Sequence, residues 1–466
     1  MANAPGFGLL DEQPLKRFHL RTMFTTGMGV FTDGYDLSSI GVVLPLVLAS
    51  FGVAHVSSLQ SGALAGSALV GAALGAVLFG ALAQRGRKTF YGLDVTLMAI
   101  AAVAQIFATD LWSLIAIRFI LGIGVGADYV LSPTIMAEHA NRGDRGKTLG
   151  IGFGVMWWGG AVAAGALLLI LKSMGVSPEM QWRIVLAAGA LPAVSVLYLR
   201  RRMPETARYL ARLAGDHAAA AGVVEQVCGE KRAALPAVDQ RAFWQVLGEY
   251  MGPILASAVL WMLFDIVVYS GILFGPSLIA KGLGVEPAVF SLLMSVVFIL
   301  PTALLLSLYA LDRLGRKPTQ AIGMIMAAVM LGIFAAFHQD LTAAPVLGLI
   351  VFGLYNVFIT FPSMVSGAGI LGVELAPTRV RTVGQSISVV GGRIGASLSA
   401  FLFPLLFSRI GEAGVIATLA GCAVLGGVLT LFIIPETRGR SLEEINEEEL
   451  SVPVGYAAAP AVGTAD

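Results

Sequence analysis

Long apolar runs separated by short polar segments dominate the chain. A helix that crosses the hydrocarbon core of a bilayer needs about 20 mostly apolar residues. Twelve runs of about this length can be marked, at residues 23–49, 58–83, 89–108, 112–137, 149–171, 182–199, 252–279, 287–309, 319–337, 345–371, 383–407 and 413–434. The pattern therefore predicts an all-α membrane protein with twelve transmembrane helices.

Composition agrees with this prediction. Of 466 residues, 57% are hydrophobic and 13% charged, against roughly 45–50% apolar and 25% charged in soluble domains. Cys228 and Cys422 form no metal or redox spacing. None of the five histidines falls in the middle of a predicted span, and no Ser/His or metal-ligand cluster appears. We expect neither an enzyme, nor a cofactor, nor a metal site.

Basic residues cluster on one side of the predicted spans. They follow or precede alternate spans at Arg85, Arg87, Lys88, Arg142, Arg145, Lys147, Arg200–Arg202, Arg313, Arg316, Lys317, Arg379, Arg381, Arg438 and Arg440, while the other side holds Lys172, Arg183, Lys281 and Arg409. Because Lys and Arg favour the cytoplasmic side, this bias predicts a multi-pass protein of the cell membrane with both termini in the cytoplasm.

The two halves of the chain repeat each other. "GRK" at 86–88 returns at 315–317, "AEHANRGDRG" at 137–146 is echoed by "VELAPTRVRT" at 373–382, and "PET" at 204–206 returns at 435–437. The repeats predict a cytoplasmic N-terminal segment (1–22), a six-helix bundle (23–199), a cytoplasmic linker (200–250), a second six-helix bundle (251–434) and a cytoplasmic tail (435–466). Such repeats place a substrate site at the interface of the two bundles.

Loop motifs carry a resemblance to a known superfamily. "LDRLGRK" at 311–317 and "GALAQRGRK" at 80–88 resemble the loop motif of the major facilitator superfamily, although Gln84 replaces the usual Asp. "RFILGIGVG" at 118–126, "PETARYL" at 204–210 and "PETRGRSLEEI" at 435–445 are similar to its sugar-porter branch. The resemblance implies a cytoplasmic gate built from Arg85, Arg87, Glu138, Arg145, Asp312, Arg313, Arg316, Glu374 and Arg381.

Charged residues inside the predicted spans point to a functional site. An Asp or Arg at the centre of a membrane helix costs about 3 kcal/mol or more and is usually functional. Asp36, Asp128, Asp265 and Arg393 lie near mid-span, and we expect them to face a shared cavity and to pair. Arg118 lies near a span end, where its side chain can snorkel to the interface. Glycines around 122–128 are expected to allow close helix packing.

The mid-span residues resemble those of the superfamily's phosphate:proton symporters. The shared motifs are "DGYD" at 33–36, "ADY" at 127–129, "WMLFDIVVY" at 261–269 and Arg393 before "IG". The resemblance implies anion contacts from Tyr129, Trp261, Asp265, Tyr269 and Arg393, and proton coupling through Asp36 and Asp128. We add Trp157 as a candidate substrate contact and Asp33 as a candidate coupling residue. "MWW" at 156–158 stands where that family has a Gln, so no amide is offered there.

These features predict a monomeric secondary transporter for a small anion and protons, with the lipid bilayer as its surroundings and no nucleic-acid partner. A phosphate-like anion comes first. An aromatic or other organic carboxylate comes second, because "DGYD" also resembles the aromatic-acid:proton symporters and tryptophans can stack on a ring. A sugar comes third, and a non-transporting receptor is the remote alternative. Sodium in place of protons stays open, since carboxylates also suit a hard cation.

Overall fold

The computed structural model describes residues 7–52, 58–229 and 235–448, and these ranges contain helices and loops but no strand. Residues 1–6 of the predicted N-terminal segment, 230–234 of the linker and 449–466 of the tail lie outside the described residues. The chain is therefore all-α over the part described, as its apolar runs predict.

Six apolar helices form the first half, five of them long enough to cross a membrane and one shorter. They are α1 (Arg17–Ser50), α2 (Gln60–Arg85), α3 (Leu93–Phe107), α4 (Leu111–His139), α5 (Arg145–Ser173) and α6 (Pro178–Arg201). Local sequence sets several of their ends: the Asp110 side chain accepts hydrogen bonds from the first amides of α4, and Pro178 occupies the first turn of α6, where its missing N–H costs nothing.

Six more spanning helices form the second half. They are α7 (Phe243–Phe274), α8 (Pro287–Ala310), α9 (Arg316–Ala336), α10 (Pro345–Glu374), α11 (381–410) and α12 (412–433). The last two run on as one helical stretch, Arg381–Ile433, that is broken at Gly411, whose φ of 69° and ψ of 178° are non-helical. The twelve predicted spans are thus confirmed as helices.

Glycines let α2 and α4 pack backbone to backbone. A Cβ at Gly71, Gly75, Gly122 or Gly126 would lie 1.9 to 2.1 Å from a carbonyl oxygen of the facing helix, so a larger side chain would separate the helices. The expectation that these glycines serve packing is confirmed. The first half is consequently built around a tight α2–α4 seam.

Several helix pairs form the contacts between the halves. Helix α2 packs on α11, α4 on α11, α5 on α8 and α1 on α7. The end of the bundle at which Arg87, Arg145, Arg316 and Arg381 lie is called the basic face here. Helices of both halves surround the central cavities.

Segments outside the spans cover the basic face. The helices Gly8–Glu12 and His217–Cys228 pack together through Phe7, Leu10 and Val224. Arg208 ties this layer to the end of the described chain, because its guanidinium lies 2.9 Å from Asp11 Oδ1 and 2.8 Å from Glu443 Oε1. The described parts of the N-terminal segment, the linker and the tail therefore form one layer.

Candidate substrate site

A buried cavity lies between the two halves. Its volume is about 30 Å³, more than the roughly 10–15 Å³ that one water needs. Helices α4, α5, α7, α10 and α11 supply its walls, which are Tyr129, Phe153, Gly154, Trp157, Trp158, Trp261, Phe264, Asp265, Val268, Tyr269, Ile272, Ser363, Gly367 and Arg393. The structure thus brings together all six side chains that the sequence assigned to substrate contact.

Arg393 is the cation of this cavity. Its side chain is 1% exposed, its Nη1 donates a hydrogen bond of 2.9 Å to the Tyr269 hydroxyl, and its Nη2 lies 3.1 Å from Asp265 Oδ2. The guanidinium also stands over the Tyr129 ring at 4.5 Å. Its Nε has no acceptor among the described residues. The cation is therefore held in place while one donor stays free.

Aromatic rings form most of the remaining wall. Trp157 and Trp158 meet edge to face at 4.8 Å, and Tyr129 contacts Phe153 at 5.0 Å and Trp261 at 6.1 Å. Trp158 Nε1 donates to Ser363, 3.3 Å away, while Trp157 Nε1 has no acceptor within the described chain. The site combines one Arg–Asp pair with a wall suited to flat or apolar groups.

The three aspartates predicted for proton coupling do not line this cavity, which corrects the expectation of one shared lumen. Asp128 and Tyr129 are neighbours on α4, and successive helical residues point about 100° apart. Tyr129 faces the cavity, whereas Asp128 faces α6 and lies 2.8 Å from Arg200 Nη1. The same guanidinium lies 2.5 Å from Asp94 of α3. Asp128 is thus one member of a buried Asp–Arg–Asp group.

Asp33 and Asp36 are buried without such partners. They are 0% and 1% exposed, and neither carboxylate has a hydrogen bond within the described chain. The Asp36 carboxylate packs on Gly189 of α6, where a Cβ would come within 2.0 Å of Oδ1. Gly29, one turn before Asp33, leaves room for Arg200 and Asp128. Both carboxylates therefore lie between α1, α4 and α6, inside the first half.

Two arginines of this region were missed or misjudged from sequence. Arg118 does not snorkel, because it is fully buried and donates to the Asp36 backbone carbonyl at 3.1 Å and to Gln105 at 3.2 Å. The sequence pattern groups Arg200 with the loop residues Arg201 and Arg202, but Arg200 is a fully buried residue of α6. The available signal was the excess of mid-span acids over bases, since buried acids need cations.

On the basic face, Glu138 at the end of α4 holds a first charge cluster. It is fully buried and lies 2.9 Å from Arg381 Nη1 and 3.5 Å from Arg87 Nη2, and the Thr206 hydroxyl also donates to it. Arg87 comes from the same half and Arg381 from the other half. This carboxylate therefore joins the two halves.

Glu374 at the end of α10 holds the corresponding cluster of the second half. It lies 2.7 Å from Arg145 Nε and 2.9 Å from Arg316 Nη2, and Thr437 donates to it. Each residue of this cluster lies at the position that corresponds, in the sequence repeat, to a residue of the first cluster. The repeated loop motifs thus fold into two matched clusters, each with one arginine from each half.

The loop motif itself differs between the halves. The Asp312 carboxylate accepts the backbone N–H groups of Gly146 at 2.9 Å and Lys147 at 2.7 Å, at the start of α5. Gln84, in the matching place, donates its amide to the Thr382 hydroxyl at 2.6 Å, at the start of α11. Both contacts cross between the halves, but one carries a charge and the other does not.

Two residues predicted for the gate lie apart from these clusters. Arg85 and Arg313 are both exposed; Arg313 stacks over the ring of its neighbour Tyr309 at 5.5 Å. Arg87 and Arg316 are instead buried in the clusters. Within the described residues, neither Arg85 nor Arg313 forms a hydrogen bond or an ion pair with the other half.

Two matched six-helix halves with a polar cavity at their interface, in a chain of membrane-spanning helices, define the protein as a membrane transporter. The family model described as "Sugar (and other) transporter" matches residues 22–448. The chain therefore belongs to this family, a branch of the major facilitator superfamily.

Relatives and solved structures agree with this assignment. The chain is 30% identical to "Probable inorganic phosphate transporter 1-6" of Arabidopsis thaliana, with 94% of this chain and 95% of that protein covered. It is equally identical to "Inorganic phosphate transporter 1-1" of Oryza sativa subsp. japonica, with 94% and 95% covered. The proton:xylose symporter XylE, solved with 6-bromo-6-deoxy-D-glucose, shares the fold at a TM-score of 0.78 and 21% identity, over 92% of this chain and 98% of XylE.

Proposed function

We propose that this protein takes up a small anion together with protons by alternating access. A phosphate-like anion is the first candidate and an organic carboxylate the second. The buried Arg393 at the interface of the halves is the observation that carries the proposal. The similarity of this chain to proteins named as inorganic phosphate transporters supports it.

Arg393 suits an anion because it keeps its charge when buried. Its free Nε and its planar fork allow two parallel hydrogen bonds to a phosphate or carboxylate. Asp265, 3.1 Å away, competes with the substrate for the same guanidinium. An entering anion would share or displace this contact, so binding would alter the charge balance around Asp265.

Protons would be carried by the unpartnered carboxylates of α1. An ionised carboxylate that is buried and unpaired costs several kcal/mol, so Asp33 and Asp36 would hold protons during part of the cycle. Helix α4 links them to the substrate, because Tyr129 contacts Arg393 while its neighbour Asp128 contacts Arg200 beside Asp33. Movement of α4 would therefore couple the anion to the protons.

The basic face would be the cytoplasmic side of the cell membrane, since Lys and Arg favour that side. The clusters at Glu138 and Glu374 would then form the cytoplasmic gate. They would hold the halves together on that side and part when the cavity opens to the cytoplasm. Asp312 and Gln84 would add the weaker contacts of the same gate.

Binding and uptake measurements test the proposal. Purified protein would be titrated with inorganic phosphate, benzoate, a hexose and an organic cation, as wild type, Arg393→Lys and Arg393→Gln. We expect an anion to bind, with a larger loss for Gln than for Lys, because Lys keeps the charge. In proteoliposomes, a proton uncoupler should stop accumulation and sodium removal should not. A hexose or cation that binds wild type and Arg393→Gln equally well, with no anion binding, would overturn the choice of substrate.

Trp157 and Trp158 favour the second candidate. They stand where the phosphate symporters have a Gln, and they give the cavity rings instead of an amide. A flat aromatic acid would stack on such a wall while its carboxylate meets Arg393. Benzoate in the same titration separates the two candidates.

A further inference from the structure

A second cavity adjoins the substrate site. Its volume is about 40 Å³, and it shares the walls Trp158, Val268 and Ile272 with the first cavity. Its other residues come from α1, α5, α7, α8, α10 and the short helical segment Gly275–Ile279. The two cavities therefore adjoin at the three shared residues, so that together they have a charged end at Arg393 and a second end.

The lining of the second cavity is uncharged. Its apolar walls include Trp158, Phe290, Met294, Ile299 and Phe352, and its polar groups are those of Ser38, Ser291, Ser295, Tyr355 and Asn356; among the described lining residues there is no Asp, Glu, His, Lys or Arg. Such a surface offers no counterion to an anion and instead favours uncharged, partly apolar groups.

Several of its polar groups are already engaged within the protein. The Tyr355 hydroxyl donates to the Val267 carbonyl at 3.2 Å, and Asn356 Nδ2 donates to the Phe352 carbonyl at 2.8 Å. The Ser38 hydroxyl donates to the Gly34 carbonyl. The hydroxyls of Ser291 and Ser295 have no hydrogen-bond partner within the described chain, so a few neutral donors remain there and no cation faces the charge of inorganic phosphate.

We propose that the second cavity receives the uncharged part of an organic anion whose charged head binds Arg393. The substrate class is thus a phosphate monoester or a carboxylate with a ring-sized substituent, and inorganic phosphate would fill the charged end alone. This inference rests on the anion site of the proposed function. An apolar substituent gains free energy as it leaves water, whereas a second charge would gain no partner.

Gly271 of α7 provides a way to fill the second cavity. A Cβ there would make ordinary contacts with Tyr355 at 3.7 Å and Phe352 at 4.0 Å, so Gly271→Leu extends into the space without meeting backbone. Gly252→Leu, on the same helix with no atom within 4 Å of the added Cβ, is the matched control.

The experiment measures the affinities of purified protein for inorganic phosphate, phenyl phosphate and benzoate. In wild type, we expect phenyl phosphate or benzoate to bind at least about tenfold more tightly than inorganic phosphate; which of the two does so identifies the head group. Gly271→Leu should abolish this advantage and leave phosphate affinity within about twofold, while Gly252→Leu keeps the advantage.

Three outcomes distinguish this inference from the proposed function. Phosphate that binds wild type through Arg393 as tightly as phenyl phosphate and benzoate overturns the inference and leaves the function standing. An advantage that persists in Gly271→Leu also overturns it. Absence of any anion binding that depends on Arg393 overturns the proposed function itself. The wild-type comparison needs no variant, so it decides the matter even if Gly271→Leu fails to fold.

Discussion

The carboxylates of the basic face and those of α1 are equally buried but differ in their surroundings. Glu138 and Glu374 each lie beside two arginines and accept a hydrogen bond from a threonine. Asp33 and Asp36 have no hydrogen bond to either carboxylate within the described residues. Since a partner holds a buried charge in place, the first pair behaves as fixed charge. We propose that the second pair, which has no such partner, gains and loses protons during transport.

Removal of a partnered carboxylate should have the largest effect. Glu138→Gln leaves Arg87 and Arg381 with less neutralisation, and breaking a buried ion pair costs about 3–5 kcal/mol. Thermal unfolding of purified protein should show this loss. Glu179→Gln is the control, because Glu179 is 60% exposed beside Arg183, and it should change stability by less than about 0.5 kcal/mol. Equal effects of the two variants would contradict the distinction.

Neutralising an α1 carboxylate should impair transport and leave folding unchanged. Asp36→Asn removes a titrating group at nearly constant volume, so we expect normal folding, loss of accumulation against a gradient and continued exchange of substrate without one. Asp128→Asn should also lose accumulation. Its stability should fall as well, because Arg200 loses one of its two acidic partners and is left with Asp94 alone. Uptake and melting temperature in the same preparations measure both effects. Asp340→Asn, at an exposed position, is the control; normal accumulation by Asp36→Asn would count against the coupling role.

A smaller effect should separate the two copies of the loop motif. Asp312→Asn removes a negative charge from the start of α5, which is worth about 1 kcal/mol. The equilibrium should shift by about fivefold toward the state in which the basic face is open. Gln84→Asp should shift it the other way, by placing a charge at the start of α11. Labelling of an introduced cysteine on the face opposite the basic face, after Cys228 and Cys422 are replaced by serine, reports the population. Unchanged labelling in both variants would refute the assignment.

The smallest effect concerns Asp11, which shares Arg208 with Glu443 and is intermediate between the two kinds of carboxylate. Burial raises the pKa of Asp11 to about 6, against the opposing charge of Arg208. Although burial also acts on Glu443, Arg208 lowers its pKa to about 2, so Glu443 stays ionised from pH 5 to 8. A raised carboxyl pKa means that docking of residues 7–12 weakens as the pH rises through 6.

Hydrogen exchange of residues 7–12 between pH 4 and 8 checks this expectation. Comparison with Asp11→Asn at each pH removes the intrinsic pH dependence of exchange, and the variant should lack the loss of protection that develops as the pH rises from the ordinary pKa of 3.8 to about 6. The same profile in both proteins would exclude Asp11 as the titrating group.

How far the sequence predicted this arrangement depends on the range of each interaction. The repeats placed Glu138, Glu374 and their arginines at matching positions, and the helical period put Trp261, Asp265 and Tyr269 on one face, which lines the cavity. Contacts between residues of distant helices produce no such pattern in the sequence. Arg200 reaches Asp94 and Asp128 only because α3, α4 and α6 pack side by side, and the turn of α4 directs Asp128 away from Tyr129. The second cavity likewise arises from the packing of five helices.

Each cluster of the basic face contains one arginine from its own half and one from the other. If the halves part there, Glu138 loses Arg381 but keeps Arg87, and Glu374 loses Arg145 but keeps Arg316. Each carboxylate keeps one arginine partner while the halves separate. The activation barrier for opening therefore does not include the full cost of an unpaired buried charge. We therefore expect the rate of opening to respond only weakly to ionic strength.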